Sequence, residues 1–281
     1  MSRTSDLAHQ IWTAAIPDLR TTYQEVAEAG IRSVVMTQQR GEFDLLVPEQ
    51  ARAAGRLLTE LGLAVVACHG VESQPCDLSV READEHTAMV RAHATLMENT
   101  AELGCRTYVV HLGGAPEEGA RAAAWGQVRK AVDTLGPLAQ SLGMALALEN
   151  GFTGYLASNE ELVAFVRDYH HPAVGLCYDA GHAHIMGDAA EVLRLMGPYV
   201  VTVHLHDNDR SCDQHLIPGL GTIDWPSVAE ALAECPRLVH AETEAANYVG
   251  WPFSPEPWSQ RELWARYCEV LNGAGTGVVY G

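Results

Sequence analysis

Residues 145–182 read ALALENGFTGYLASNEELVAFVRDYHHPAVGLCYDAGH, and the order of patterns within them decides the fold. An apolar run at 145–149 closes on Glu149, apolar residues at helical spacing follow at 158–169, and a second apolar run at 174–178 is closed by Asp179. Ser158-Asn159-Glu160 supplies a helix start, and Gly143 stops the helix before it. Strand, crossover helix and strand in this order form a unit whose two strands run parallel.

The same alternation extends in both directions. Strands are expected at 9–15, 33–36, 64–68, 107–111, 145–149, 174–178, 200–204 and 238–242, and helices at 19–28, 48–61, 81–103, 120–142, 158–169, 190–195, 224–233 and 259–271. Eight repeats within 281 residues match one (β/α)8 TIM barrel, an architecture of roughly 250 residues. No Pro/Gly/Ser-rich linker divides the chain, so a single domain over 1–281 is expected. A doubly wound sheet would carry a glycine-rich phosphate turn after its first strand, whereas this chain has Ala15-Ile16-Pro17-Asp18. The first strand is the weakest unit, being polar and poorly bounded.

Composition narrows the function classes. Eighteen Lys+Arg against 36 Asp+Glu give a net charge of −18, which disfavours nucleic acid or an anionic membrane as partner. The sole lysine, Lys130, falls on an expected helix, so Schiff-base chemistry at the strand ends is disfavoured too. Seven cysteines without a CxxC pair, a first segment (MSRTSDLAHQIW) unlike a signal peptide, and no apolar run near the roughly 18 residues of a membrane span lead to the expectation of a reduced, cytoplasmic protein.

In such a barrel the chemistry sits where the strands end. There the sequence places His69, His111, Glu149, Asp179 with His182, His204 with His206, and Glu242 followed by Glu244; the loop after the seventh strand adds Asp213 and His215. Buried carboxylates converging on a barrel axis stay ionised only if a cation or protons compensate them. Glu149, Asp179, His204 and Glu242 are accordingly the expected ligands of a divalent metal, with manganese, zinc, cobalt, magnesium or iron all admissible for an N/O donor set. His69, His111, His182, Asp213 and His215 either complete further metal positions or surround the first. His206 shares strand parity with His204 and is an alternative ligand; His184 and His240 carry no assigned role. A single buried histidine is more often a hydrogen-bonded core residue than a ligand, and His9, His86, His93, His170 and His171, in expected helices or turns away from that end, are read as surface or core histidines.

The motifs ACHG, VVHLGG, LALENG, VGLCYDAGHAHIMGD, VHLHDND, DQHLIPGLGTIDW and ETE occur in this order over nearly the whole chain. Together they resemble the xylose isomerase-like TIM barrel superfamily, which includes sugar epimerases, inosose-processing enzymes and endonuclease IV repair enzymes. The resemblance implies that Glu149, Asp179, His204 and Glu242 bind a catalytic metal. Its endonuclease branch implies two additional zincs on His69, His111, His182, Asp213 and His215. Two features depart from the sugar isomerases: SVVMTQQ at the second strand lacks their strand-end Glu, and Tyr155 stands where ketose 3-epimerases place a second Glu. Arg210, six residues after His204, matches those epimerases. Relatives are often homodimers or homotetramers.

The implied activity is isomerisation or epimerisation of a sugar, keto-sugar or inositol derivative through an enediolate, with Glu149 and Glu242 as base and acid and His182 assisting. Arg210, His69, His111 and Trp251 are the expected substrate contacts. Lyase or hydrolase chemistry on an oxidised sugar or glycoside uses the same site and is the nearest alternative. A zinc phosphodiesterase at abasic DNA, and a non-enzymatic scaffold, are further alternatives; basic residues at the strand ends are too few for the former. Aromatic residues Phe152, Tyr155, Trp251, Phe253 and Trp258 suit sugar C–H faces or simple loop packing. Residues 72–79 form a candidate lid, and Gly219–Gly221 either cradles a phosphate or makes a tight turn.

Overall fold

The computed structural model describes residues 3–11, 18–71, 74–253, 256–276 and 278–280, and for residues 3–5 and 40 the backbone alone. Eight parallel strands close on themselves: β1 (Arg3–His9), β2 (Ser33–Met36), β3 (Ala64–His69), β4 (Thr107–Val110), β5 (Ala145–Glu149), β6 (Val174–Asp179), β7 (Val200–Leu205) and β8 (His240–Thr243). Each pairs with the next, and β8 pairs with β1, with Glu242 opposite Ala8. That last pairing separates a barrel from an open doubly wound sheet. The Ala15–Pro17 part of the first expected turn lies outside the described residues.

The helices follow the expected periodicity within two residues at either end: α1 (Leu19–Glu28), α2 (Pro48–Glu60), α3 (Ala83–Ala101), α4 (Arg121–Leu142), α5 (Asn159–Tyr169), α7 (Ala189–Met196), α8 (Trp225–Ala233) and α9 (Gln260–Asn272). Ser158 begins α5 with a reciprocal capping box to Glu161, and Gly143 ends α4 in the left-handed conformation at φ 70°. Several described elements were not expected, among them the following. A short helix, α6 (Ala180–Met186), starts directly at the end of β6; a small ribbon pairs Gln39–Arg40 with Phe43–Asp44; and β9 (Val278–Tyr280) adds to the outer edge of β1.

The first strand is a correction, lying at Arg3–His9; of the expected 9–15, Gln10 and Ile11 already lie past its end, and residues 12–15 lie outside the described residues. Its sequence, RTSDLAH, carries little apolar pattern because β8, β2 and β9 fix it through backbone pairing; among its described side chains Leu7 and Ala8 are the buried apolar ones. His9 is therefore a strand-end residue, and it hydrogen bonds to Thr243 and Gln260 at 2.9 Å each, apart from the acidic centre.

Period-two alternation divides the strands into two faces. Outward residues such as Leu7, Met36, Tyr108, Leu146, Leu148, Leu176, Tyr178 and Leu205 join the helices in one extensive apolar core. Inward residues are small: Ala8, Val35, Val66 and Ala67 form one cluster, and Val109, Ala147, Cys177 and Val201 another. Ala67, Ala147 and Cys177 share parity with His69, Glu149 and Asp179, so the same alternation that fills the barrel with small groups aims these polar residues at its axis. No helix among the described residues is long and apolar enough to cross a membrane.

Candidate metal centre

Glu149, Asp179 and His204 meet at the C-terminal mouth of the barrel. Asp179 stands opposite His204 in the β6–β7 register, and Asn150 pins the β5 and β6 ends together, accepting from the Asp179 backbone N–H at 2.7 Å and donating to the Asp179 carbonyl at 3.2 Å. Asp179 also begins α6, its Oδ1 accepting from the His182 N–H at 2.6 Å. Oδ2 is then left facing His206 Nε2 at 3.0 Å and His204 Nδ1 at 4.0 Å.

The fourth residue that the structure brings into this group is Glu244. One donor atom each from Glu149, Asp179, His204 and Glu244 lies within 4.8 Å of the others. His204 Nδ1 is 3.3 Å from Glu149 Oε1 and 3.2 Å from Glu244 Oε2. Ligands about 2.1 Å from a cation are separated by about 3.0–3.4 Å along octahedral or tetrahedral edges, so these spacings fit one ion with little adjustment. Glu149 Oε2, Glu244 Oε2 and His204 Nδ1 are all buried and make no hydrogen bond. Such orphaned buried acceptors, grouped in one place, suit a cation.

Two residues later than Glu242 on the same inward face, Glu244 is placed by groups the sequence does not advertise. Its N–H donates to the Leu205 carbonyl at 3.0 Å, extending the β7–β8 pairing, while Tyr267 of α9 donates to Leu205 O at 2.6 Å and accepts from the Ala245 N–H at 3.0 Å. The Gln10 amide donates to Glu244 Oε1 at 3.4 Å, leaving Oε2 toward His204. Glu242, expected in the metal set, has its carboxylate held instead by Thr202 at 2.5 Å and His240 at 3.0 Å, with Oε2 3.5 Å from the other ring nitrogen of His204.

The additional histidines surround this tetrad. His111 Nε2 and His69 Nε2 approach Glu149 Oε2 at 3.0 and 3.5 Å. Asp213 gathers His215 at 3.0 Å, His182 at 3.4 Å and His206 at 3.8 Å, with the rings of His206 and His215 stacked 3.9 Å apart. His206, Asp213 and His215 thus form a second nest, and His69, His111 and Glu149 a third. Burial alone would raise the Glu149 carboxyl and depress the imidazoles, but their mutual charges prevail: Glu149 is held well below the ordinary carboxylate range by His204 and His111. For Asp179, burial is outweighed by His182 and His206, which bring it down to about 2. For His182, burial is outweighed chiefly by Asp179, which raises it to about 10.

The other expected contacts take the following places. Arg210 is exposed at φ 75°, its backbone N–H donating to Asn208 Oδ1; burial and then the Arg210 charge lower His184, whose ring hydrogen bonds to Thr222. Trp251 donates its indole N–H to the Gln214 carbonyl at 2.8 Å and so ties the loop after β8 to the Asp213–His215 loop. Phe152 and Tyr155 lie 4.9 and 5.8 Å from the His182 ring. The Gly219 N–H donates to Asp207 Oδ2, and a Cβ at Gly221 would overlap Asp207, so these glycines pack a turn onto a buried aspartate. Of the candidate lid, residues 72 and 73 lie outside the described residues, while Leu78 and Ser79 donate to the carbonyls of His111 and Leu112.

A family model described as xylose isomerase-like TIM barrel matches residues 23–273. An uncharacterized protein of Methanocaldococcus jannaschii is 32% identical over 152 residues, 49% of this chain and 50% of that protein. D-psicose 3-epimerase of Ruminiclostridium cellulolyticum is 32% identical over 114 residues, 39% of this chain and 37% of the enzyme. These alignments span half or less of the relatives' length. Among solved structures, a D-tagatose 3-epimerase-like protein superposes with a TM-score of 0.80 at 19% identity, covering 96% of this chain and 98% of that one. A 3-keto-D-glucoside 4-epimerase from E. coli gives 0.75 at 16% identity, covering 93% and 99%. At those identities the likeness shows a shared fold.

Proposed function

The chain belongs to the xylose isomerase-like TIM barrel family, and on that footing we propose that it is a divalent-metal-dependent isomerase or epimerase of a neutral keto-sugar or inositol derivative. The observation that carries this reading is the group of orphaned, buried donor atoms on Glu149, His204 and Glu244, with Asp179 completing the set. A cation bound there supplies Lewis-acid polarisation of a substrate carbonyl and its neighbouring hydroxyl.

The protein's own residues do the proton work. Glu149 reaches the centre from β5 and Glu244 from the end of β8, two walls of the barrel separated by β6 and β7. Glu149, ionised well into the acid range by its imidazole neighbours, takes the proton from the carbon beside the carbonyl, and Glu244 returns one to it. His182, whose Nδ1 is fixed by the Asn150 carbonyl at 2.8 Å, turns Nε2 toward Asp213 and orients a substrate oxygen. His69 and His111 face the second oxygen of Glu149 at 3.5 and 3.0 Å without hydrogen bonding to it, and Phe152 with Tyr155 offers apolar faces to C–H groups.

Neutral substrates are favoured because, among the described residues, every ion pair of the site joins a histidine to a carboxylate and none brings in an arginine. A phosphorylated or DNA substrate would meet five acids, Glu149, Asp179, Asp213, Glu242 and Glu244, with no arginine or lysine among the described residues ion-paired into the site to receive it. Lyase chemistry on an oxidised glycoside uses the same residues and differs in what departs.

The test is incubation of metal-loaded enzyme with neutral ketoses, inososes and keto-glycosides in D2O, watched by NMR. Exchange of a carbon-bound proton is expected, with epimer formation for an epimerase and fragment release for a lyase. Glu149→Gln and Glu244→Gln should each slow exchange by about 10²–10⁴-fold. Full activity after metal removal, or in either variant, would overturn the proposal.

A further inference from the structure

Beneath the proposed centre lies a polar chain that the proton chemistry does not use. Glu242 is wholly buried and stands directly opposite His204 in the β7–β8 register. Its Oε1 accepts from the Thr202 hydroxyl at 2.5 Å and meets His240 Nε2 at 3.0 Å, and His240 Nε2 is in turn 3.0 Å from the Thr107 hydroxyl. Its Oε2 has no hydrogen bond and points at His204 Nε2, 3.5 Å away. The opposite nitrogen of that ring, Nδ1, faces Glu149, Asp179 and Glu244.

We propose that Glu242 is a positioning residue that accepts the Nε2–H of His204, fixing the tautomer whose Nδ1 lone pair is turned to the cation. This rests on the metal-site reading above. An imidazole offers a metal one lone pair, and its other nitrogen then carries a proton that requires an acceptor when buried. Among the described residues Glu242 is the carboxylate within 4 Å of that nitrogen. Thr202 and His240 hold its far oxygen, so the carboxylate cannot swing up to join the ligands without giving up both contacts and leaving the buried Thr202 hydroxyl only the His240 carbonyl at 3.3 Å. A carboxylate behind a metal-bound imidazole raises its donor strength, and loss of such a partner weakens metal binding by about 10–100-fold.

The experiment uses the full chain with histidine side chains labelled with ¹⁵N, loaded with zinc. The expected spectrum has His204 with Nδ1 bound to metal and a downfield proton on Nε2; a His204 bound through Nε2 overturns the inference in the wild-type protein alone. Zinc affinity by chelator competition is then measured for Glu242→Gln, Thr202→Val and Glu244→Gln. Glu242→Gln should bind zinc about 10–100-fold more weakly and move the Nε2–H resonance upfield, and Thr202→Val should shift both in the same direction by less. If Glu244→Gln is weakened while Glu242→Gln and Thr202→Val keep wild-type affinity and spectrum, the positioning role is refuted and the centre stands. If Glu244→Gln binds as tightly as wild type, the centre itself has been misassigned.

Discussion

Asp207 is the buried anchor of the loop that carries Asp213 and His215, and Asp207→Asn is a sharp perturbation of it. Its Oδ1 accepts from the N–H groups of Asn208 at 2.9 Å and Ile223 at 3.1 Å, and its Oδ2 from the Gly219 N–H at 2.7 Å and the Trp225 indole at 2.8 Å. An asparagine can satisfy the first pair through its carbonyl oxygen, but its NH2 must then face two donors. Two hydrogen bonds to a charged acceptor are worth about 1.5–3 kcal/mol each. Loop relaxation and water entry bring the expected loss to about 3 kcal/mol. With 281 residues at about 2.1 cal/mol/K each, the unfolding entropy is about 0.6 kcal/mol/K, so Tm should fall by about 5 °C.

If the loop opens locally before the barrel melts, the change in Tm is limited by the stability of the loop itself. Trypsin distinguishes the cases, since Arg210 lies exposed within the segment. Asp207→Asn should be cut after Arg210 well before wild type, and Asp207→Ala, which removes all four acceptor contacts, faster still. A variant that melts within about 1 °C of wild type and resists trypsin equally would refute the view that these four donors depend on one ionised carboxylate.

Three further outcomes follow from the charge and packing of the site. In the metal-free protein burial depresses His182 and His215, but Asp179 and Asp213 respectively outweigh it and raise them to about 10 and about 9 from 6.5. Raised folded-state values mean that this stabilisation is complete below about pH 6.5 and is lost as pH climbs through 9–10, so the Tm of stripped protein should decline across that window. Zinc affinity should rise over the lower part of it, since a cation requires bare imidazoles; parallel trends would contradict the assignment. Gly181→Ala would drive a Cβ into the His206 ring, which rests on Asp179. A loss of about 1–3 kcal/mol in denaturant unfolding, together with weaker metal binding, is expected.

The barrel was legible because its helices carry strong local signals: the Ser158 capping box, the left-handed Gly143, and apolar spacing on α5 and α9. Strand β1 was misplaced because RTSDLAH is held by three non-local partners and carries little apolar pattern of its own. Helix α6 was overlooked because its seven residues follow directly on β6, where Asp179 both ends the strand and caps the helix. Gln10, Asn150 and Tyr267 gave no warning of their parts in aiming Glu244 and Asp179, since amides and a phenol at element ends are common for many reasons.

The sequence by itself determined that a parallel barrel would bring Glu149, Asp179 and His204 to one mouth, because alternation along each strand fixes which face a residue takes and parallel strands end on the same side. Strand parity does not separate Glu242 from Glu244, and the strand-end reading takes Glu242 for the metal set. In the tertiary structure, strand register, including the shift between Leu176 and Cys177 that sets Asp179 beside His204, and the groups packed around each carboxylate bring Glu244 to the Nδ1 side of His204 and Glu242 to its Nε2 side. Thr202 and His240 claim Glu242, while Gln10 and the extended β7–β8 pairing turn Glu244 toward the imidazole. Contacts of that kind arise between strands far apart in the chain, and no local pattern encodes them.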